Sequence, residues 1–376
     1  MSQLSDRWYQ TSLPYRIALA NLRHRFTRTL LSGAAIGLGV TMILAIVGLS
    51  HGMLDDQRTR ARGAGADLLV LPAGMSAIGL SSAPMPDRLV ELVRGEDHVL
   101  LATGAVIQPL GGIKRLTGID FRTFDRMAGG FRFLSGGPFE GPYDAIIDEY
   151  YAKQQNLALG DSLDFLDHQW RVCGIVEPGK MARVLLPIQT LQELTGNNGK
   201  ITMVYAKLDD PAESDAVIAS LKEKLRGFQV YSIDEFVSQF SVDRLPELQA
   251  FIGVIMALSV GFGFLIIFLT MHTAVLERTR DIGILKSLGA TPGYILRILV
   301  SEAAALGVLG TALGIVASFG TRELIRLFIP ASMQQAIIPE WWLIAAGVTL
   351  CGAFLGVLYP ALKAARQDVV ESLSYD

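Results

Sequence analysis

The sequence predicts an α-helical membrane protein with four transmembrane helices and an α+β extracytoplasmic domain of two lobes. Three observations predict it. Four apolar runs, at about 30–50, 250–276, 294–320 and 341–362, are long enough to cross a ~30 Å hydrocarbon core. The stretch 51–246 between the first two has the mixed charges, turns and short apolar runs of a water-exposed domain. Finally, 51% hydrophobic residues, only 18% charged and a mean hydropathy of +0.38 are too apolar for most soluble chains of this length.

Residues 1–29 are basic: Arg7, Arg16, Arg23, Arg25 and Arg28 face a single acid, Asp6. Within them, 15–28 reads as an amphipathic surface helix with Ile17, Leu19, Leu22 and Phe26 on its apolar side. Leu30 to Ser50 carries no charge and is too long for a signal-peptide core, so it reads as an uncleaved first span. Gly33 and Gly37 form a small-xxx-small face, as do Gly310 with Gly314 and Gly352 with Gly356 in later spans; such faces let helices approach closely.

In 51–246 two similar units stand out. The first is a strand at 67–71, a helix at 87–94 and a strand near 100–107. The second is a strand at 201–208, a helix at 211–225 and a strand at 228–231. Between them, about 110–200 is richer in glycine and short strands (145–148, 162–165, 170–176, 184–187), which predicts an inserted β-rich lobe. A loop at 321–340 with Arg322, Glu323, Arg326, Pro330 and Pro339 joins the last two spans, and Trp341 and Trp342 suit an interfacial anchor. Basic residues in 1–29, in 277–293 (Arg278, Arg280, Lys286) and in the tail 363–376 (Lys363, Arg366) all fall on one side of a four-span chain. By the positive-inside rule that side is cytoplasmic, so both termini are inside and the large domain is outside.

The charged segment between the second and third spans must lie at a membrane surface, because its charges are costly in hydrocarbon. Ile282, Leu285 and Leu288 recur at i, i+3 and i+6, which predicts a short amphipathic helix; Gly289 is placed to stop it, and Pro292-Gly293 resets the chain. Such a helix can dock a cytoplasmic partner. The docking candidates are Glu277, Arg278, Arg280, Asp281, Ile282, Gly283, Leu285, Lys286, Leu288 and Gly289.

The run from Glu277 to Ala290, with Arg278, Arg280-Asp281-Ile282-Gly283-Ile284-Leu285-Lys286 and Leu288-Gly289, resembles the signature of the MacB/FtsX/LolC-type permease subunits of ABC transporters. Ile17-Ala18, Asn21-Leu22, Arg25 and Arg28-Thr29-Leu30-Leu31 resemble that family's N-terminus. Tyr359-Pro360-Ala361, Ala364-Ala365-Arg366, Asp368 and Leu373 resemble its C-terminus, with Val369 where proline is common. The resemblance covers the membrane half; the intervening domain agrees only in size and position.

The resemblance implies a porter-like βαβ lobe outside, a second permease copy (a homodimer), and a cytoplasmic ABC ATPase dimer that binds ATP and Mg²⁺ and seats the helix at 281–289. It implies a subunit of the inner membrane that transmits force outward, for export or extraction of an amphipathic substrate. A periplasmic adaptor and an outer-membrane duct would indicate full export. The alternative is an FtsX-like signalling subunit that activates an external enzyme; a membrane sensor without an ATPase fits the signature less well.

No cofactor or metal is expected on this chain, and no catalytic residue. Gly174 to Lys180 has phosphate-loop spacing but ends in Met181, where a hydroxyl should hold Mg²⁺, and reads as a turn. No fused ATPase is apparent, so ATP hydrolysis is expected in a separate chain. His24, His51, His98, His168 and His272 lack metal-ligand spacing. Asp148-Glu149 and Asp209-Asp210 read as solvated strand ends, and Cys173 and Cys351 as structural thiols. Phe121, Phe124, Met127, Phe131, Phe133, Phe139 and Tyr143 are expected in the core of the β-rich lobe, with an exposed interaction patch as the other reading. Within the spans, Arg297 is expected to snorkel to the surface, and Glu302 is a candidate gating residue. A net charge of −3 argues against nucleic acid as a partner.

Overall fold

The computed structural model describes residues 20, 23–24, 26–72, 83–110, 115–241, 246–328 and 335–366. The surface helix expected at 15–28 lies largely outside these residues, as do Pro330 and the tail beyond 366. The chain divides into two units: 1–50, 246–325 and 335–376 form one, and 51–245 with 326–334 form the other.

The first unit is built on four long apolar helices, Phe26–Gly63, Pro246–Glu277, Pro292–Phe328 and Glu340–Arg366, each with a window apolar enough to cross a membrane. Two of them overrun the expected spans. The first continues past residue 50 to Gly63, and the third continues to Phe328, placing Arg322, Glu323 and Arg326 on helix rather than loop. Charged residues mark where hydrocarbon ends, but the i to i−4 ladder needs no hydrocarbon and continues into water until a breaker arrives. For the first helix that breaker is Gly65, at φ +71°.

Glycines set how these helices pack, and they do so within one chain. A Cβ on Gly37 would lie 3.0 Å from the Gly310 carbonyl oxygen, and one on Gly314 would lie 2.5 Å from Val40 Cβ. Gly33 and Gly310 are similarly tight, against Leu309 and Ile36. The Thr41 hydroxyl donates to the Gly314 carbonyl at 3.1 Å across the same crossing. Gly352 and Gly356 bring the fourth span onto the second, where a Cβ on Gly356 would be 2.8 Å from the Phe264 carbonyl oxygen. All six glycines singled out in the sequence therefore serve close approach, joining span one to three and span two to four. Phe251, Val254, Leu258, Phe262, Leu265 and Leu269 recur every three or four residues on the second span and stay exposed, a face suited to lipid.

In the second unit, β1 (Leu68–Pro72), β2 (Met85–Pro86), β3 (Val99–Pro109), β4 (Arg115–Ile119), β5 (Phe133–Gly136), β6 (Asp144–Asp148), β7 (Ser162–Phe165), β8 (His168–Val176), β9 (Val184–Pro187), β10 (Lys200–Ile201), β11 (Met203–Leu208) and β12 (Phe228–Ser232) follow in order. Ten of them form one sheet, β12-β1-β11-β3-β4-β9-β6-β8-β5, with β7 added to β8; β2 and β10 pair separately. The two predicted β-α-β units are both present, and they interlock. Each leaves a gap between its own strands that one strand of the other fills, so β1 and β11 lie side by side and antiparallel. That is the split βαβ arrangement of a ferredoxin-like lobe. The β-rich segment forms the other half of the sheet and joins through β3–β4 pairing, from Ala105 opposite Ile119 to Pro109 opposite Arg115. One apolar core runs beneath both halves, including Leu68, Val204, Phe124, Ile146 and Trp170.

The aromatic stretch at 121–143 belongs to this core. Phe124 and Met127 are fully buried, Phe131 is buried, and Phe121 sits 5.4–5.9 Å from the rings of Phe131, Phe133 and Phe139; only Tyr143 is exposed, stacked on His168. Asp148 corrects an expectation. It is a buried residue rather than a solvated strand end, capping the helix Glu149–Gln155 through the Tyr151 amide and pairing with Arg183 at 2.9 Å. Arg183 also holds Asp56 at 2.9 Å, and Asp56 holds Arg60, so the end of the first helix is tied to the sheet by buried charges. Burial draws the Arg60 guanidinium down to about 10 and pushes the Asp148 carboxyl above its ordinary range.

Two outcomes are expected. Gly314→Val should cost about 1–3 kcal/mol through overpacking against Val40, lowering the thermal midpoint of the detergent-solubilised chain, whereas Gly261→Ala, with nothing within 4 Å, should leave it unchanged. Arg183→Met should cost about 3–5 kcal/mol because it strands the buried Asp148 carboxylate, while Asp56 keeps Arg60, read as a fall in the urea midpoint of the full-length protein.

Candidate functional site

The segment between the second and third spans folds as expected. The second-span helix ends at Glu277, and after the single non-helical residue Arg278 (φ −115°, ψ 17°) a new helix runs Thr279–Ser287. The Thr279 hydroxyl donates back to the Val275 carbonyl at 3.1 Å. At the other end Gly289 has φ +94°, its amide reaches the Lys286 carbonyl, and the Ala290 amide reaches the Leu285 carbonyl, both at 3.0 Å. That is a Schellman cap, which requires a left-handed residue at Gly289. The next helix starts cleanly: Thr291 accepts from the Tyr294 amide at 3.3 Å and Pro292 takes the first position.

A helix of nine residues has little stability of its own, so what it packs against decides its orientation. Ile282 is buried in a cluster with Val275, Ile295 and Leu299, and Gly283 is buried beside it. Leu285 and Lys286 are half-buried. Arg280, Asp281, Ile284, Ser287, Leu288 and Gly289 are exposed, with Leu288 at 79%. The predicted apolar face thus splits: Ile282 belongs to the bundle, Leu288 faces out, and Ile284 joins the exposed side. Ile282 and Gly283 therefore lie inside the bundle and off the exposed side of this helix. An i, i+3, i+6 count could not separate inward from outward residues on so short a helix, because both sides carry apolar groups.

Two ion pairs hold its entry. The Arg28 Nη1 lies 3.0 Å from Glu277 Oε2, and its Nη2 donates to the Thr270 carbonyl and the Thr273 hydroxyl. The Arg278 Nη1 lies 3.4 Å from Glu302 Oε2. Glu302 is 5% exposed. Its partner is Arg278 of the loop; Arg297, the other charge of the third span, is exposed and five residues away, off the same helix face. Arg278 is therefore turned into the bundle rather than toward a partner. Glu277, half-exposed, is engaged by the first span. The pairs differ in kind: the partly exposed Arg28–Glu277 is worth about 0–1 kcal/mol, whereas breaking a buried pair such as Arg278–Glu302 costs several kcal/mol.

The remaining candidates are structural. Lys180 sits in a turn with Gly179 at φ +94° and Met181 at φ +50°, and its Nζ donates to the Ala128 carbonyl at 2.8 Å. His272 stacks on Phe268, and His98 contacts Asp209. Among the described residues no group of His, Cys, Asp and Glu could hold a metal ion. Cys173 and Cys351 are free thiols; burial pushes the Cys173 thiol up to about 12.

Four membrane-length helices, a capped short helix between two of them and an α/β unit define the class: a multi-pass membrane protein with a folded domain. Residues 29–224 match the MacB-like periplasmic core domain, and residues 253–369 match the FtsX-like permease C-terminal domain. The chain belongs to the MacB/FtsX-type permeases of ABC transporters. It is 24% identical over 95% of its length to an uncharacterized ABC transporter permease of Methanocaldococcus jannaschii, covering 96% of that protein. It is 23% identical over 96% of its length to the macrolide export ATP-binding/permease protein MacB of Escherichia coli, of which it covers 60%. The ABC transporter permease YtrF of Bacillus subtilis is 35% identical over 33% of this chain and 31% of its own. Among solved structures, the periplasmic region of MacB from Actinobacillus actinomycetemcomitans aligns with a TM-score of 0.36 at 18% identity, over 46% of this chain and 92% of that one.

Gly289→Val should raise the free energy of the Schellman cap by about 1–2 kcal/mol, the cost of a left-handed residue with a Cβ. Hydrogen exchange of the amides at 284–290 should then speed up, with the spans unaffected.

Proposed function

We propose that this permease couples ATP hydrolysis in a separate cytoplasmic ATPase to movement of its α/β domain on the outer side of a bacterial inner membrane, driving export or extraction of an amphipathic molecule. The observation that carries this reading is the capped helix Thr279–Ser287, which turns Arg280, Asp281, Ile284, Ser287 and Leu288 outward between two membrane-length helices. A short rigid element with exposed charge and apolar surface suits a groove on a soluble protein. In this reading ATP and Mg²⁺ are bound by the partner, two permease copies meet two ATPase copies, and both chain termini are cytoplasmic. Force transmission also suits the composition of the spans, since the charges near the buried core are paired with each other instead of lining an aqueous path. An adaptor protein and an outer-membrane duct complete the assembly where cargo leaves the cell.

Ile284→Asp and Leu288→Asp should each lower co-purification of the ATPase at least ~10-fold, the usual scale of losing an interface anchor, while membrane insertion stays intact. Full retention of the ATPase by the double variant would remove the docking role. A cysteine introduced by Ser214→Cys should react with an impermeant thiol reagent from the outer side and one introduced by Ser287→Cys should not; the reverse pattern would overturn the orientation.

A further inference from the structure

Glu277 and Arg278 are neighbours of opposite charge at the one break between the second span and the docking helix, and each is paired to a different span. Glu277 meets Arg28 on the first span, and Arg278 meets Glu302 on the third. We propose that these pairs form an ionic clasp that locks the docking helix to the first and third spans, with Arg278 and Glu302 as positioning residues. The inference rests on the reading that Thr279–Ser287 receives force from a cytoplasmic partner.

Three features support a clasp. The junction is a single non-helical residue, held to the second span only by local bonds: the Arg278 amide on the Val275 carbonyl, and the Thr279 hydroxyl on the Val275 and Leu276 carbonyls. The docking helix has one large buried side chain, Ile282, so packing alone gives it one point of support. The two pairs add supports on either side of the junction, and three non-collinear points define an orientation. The geometry of Arg28 is also specific: one guanidinium nitrogen takes Glu277 while the other takes the Thr270 carbonyl and the Thr273 hydroxyl, so the first span grips the last turns of the second. Glu302 lies among Leu299, Ala303 and Leu306 of the bundle, where a carboxylate needs its cation. Withdrawing Arg278 would break a buried ion pair, so tilting the docking helix at its entry pulls on the third span. The first and third spans already touch through Gly37 and Gly314, so a push at the docking helix reaches both together.

The test uses the full permease in lipid nanodiscs, without its ATPase, so that it does not depend on docking. Spin labels are placed at Ser287 with Val308, and at Ser287 with Leu38, all exposed positions outside the clasp. Distance distributions are then measured by double electron–electron resonance. Glu302→Met should broaden the Ser287–Val308 distribution about two-fold, as expected when a local element gains independent motion. Arg28→Met should do the same for Ser287–Leu38. The exchanged pair Arg278→Glu with Glu302→Arg should return the narrow distribution, which a merely volumetric role for Glu302 would not. The double variant Arg278→Met/Glu302→Met removes the charges without stranding either one, and should stay folded yet broad. Unchanged widths in the single and double methionine variants would overturn the clasp, as would failure of the exchanged pair to restore the parent width. Loss of ATPase binding by Leu288→Asp tests docking alone, so a failure of that reading would be seen separately.

Discussion

A carboxylate enclosed in an apolar helix bundle has to find a cation, and around Glu302 that requirement organises the end of the membrane unit that carries the loop between the second and third spans. Its partner is drawn from the loop between the second and third spans, Arg278, at 3.4 Å. Because the loop must deliver a guanidinium to the third span, the start of the short helix that follows is fixed in place. Ile282 then turns inward to the Val275–Ile295–Leu299 cluster, and the opposite side of the helix is left to water and to any partner. The exposed surface of the Thr279–Ser287 helix is thus a consequence of a pairing on its hidden side.

Close backbone approach performs the equivalent task farther along the bundle. Where a span has glycine at a crossing, as at Gly37, Gly314 and Gly356, carbonyl oxygens of the neighbouring helix occupy the space a side chain would take. Van der Waals contact and the Thr41 bond to the Gly314 carbonyl replace the hydrophobic drive that hydrocarbon cannot provide. The α/β unit obeys the opposite solvent rule. Its interlocked β-α-β units bury one continuous apolar core, and the charges it takes in are paired: Asp56, Arg60, Asp148 and Arg183 with each other, and Asp144 with Arg171.

The four apolar helices, the short helix between the second and third with its glycine stop, and both β-α-β units were readable from residue order. Each depends on a period or a length that the chain carries locally. The membership of the aromatic run 121–143 in a core was readable for the same reason. The ends of the first and third helices are not legible in the onset of charge, because a helix can run past an apolar span, as these do to Gly63 and Phe328. The burial of Asp148 is not legible in residue order, because solvation of a strand end depends on what packs over it, in this case Arg183.

Local sequence by itself determined which segments can enter hydrocarbon, where the short helix stops, and which strands and helices alternate, since hydropathy, glycine conformation and side-chain period are properties of neighbouring residues. Tertiary structure alone decided that Glu302 pairs with Arg278 and not Arg297, that Glu277 belongs to Arg28 across 249 positions, and that Ile282 points in while Ile284 and Leu288 point out. The reason is physical: an ion pair and a buried face are fixed by distances between remote backbones, and those distances exist only once the helices have packed.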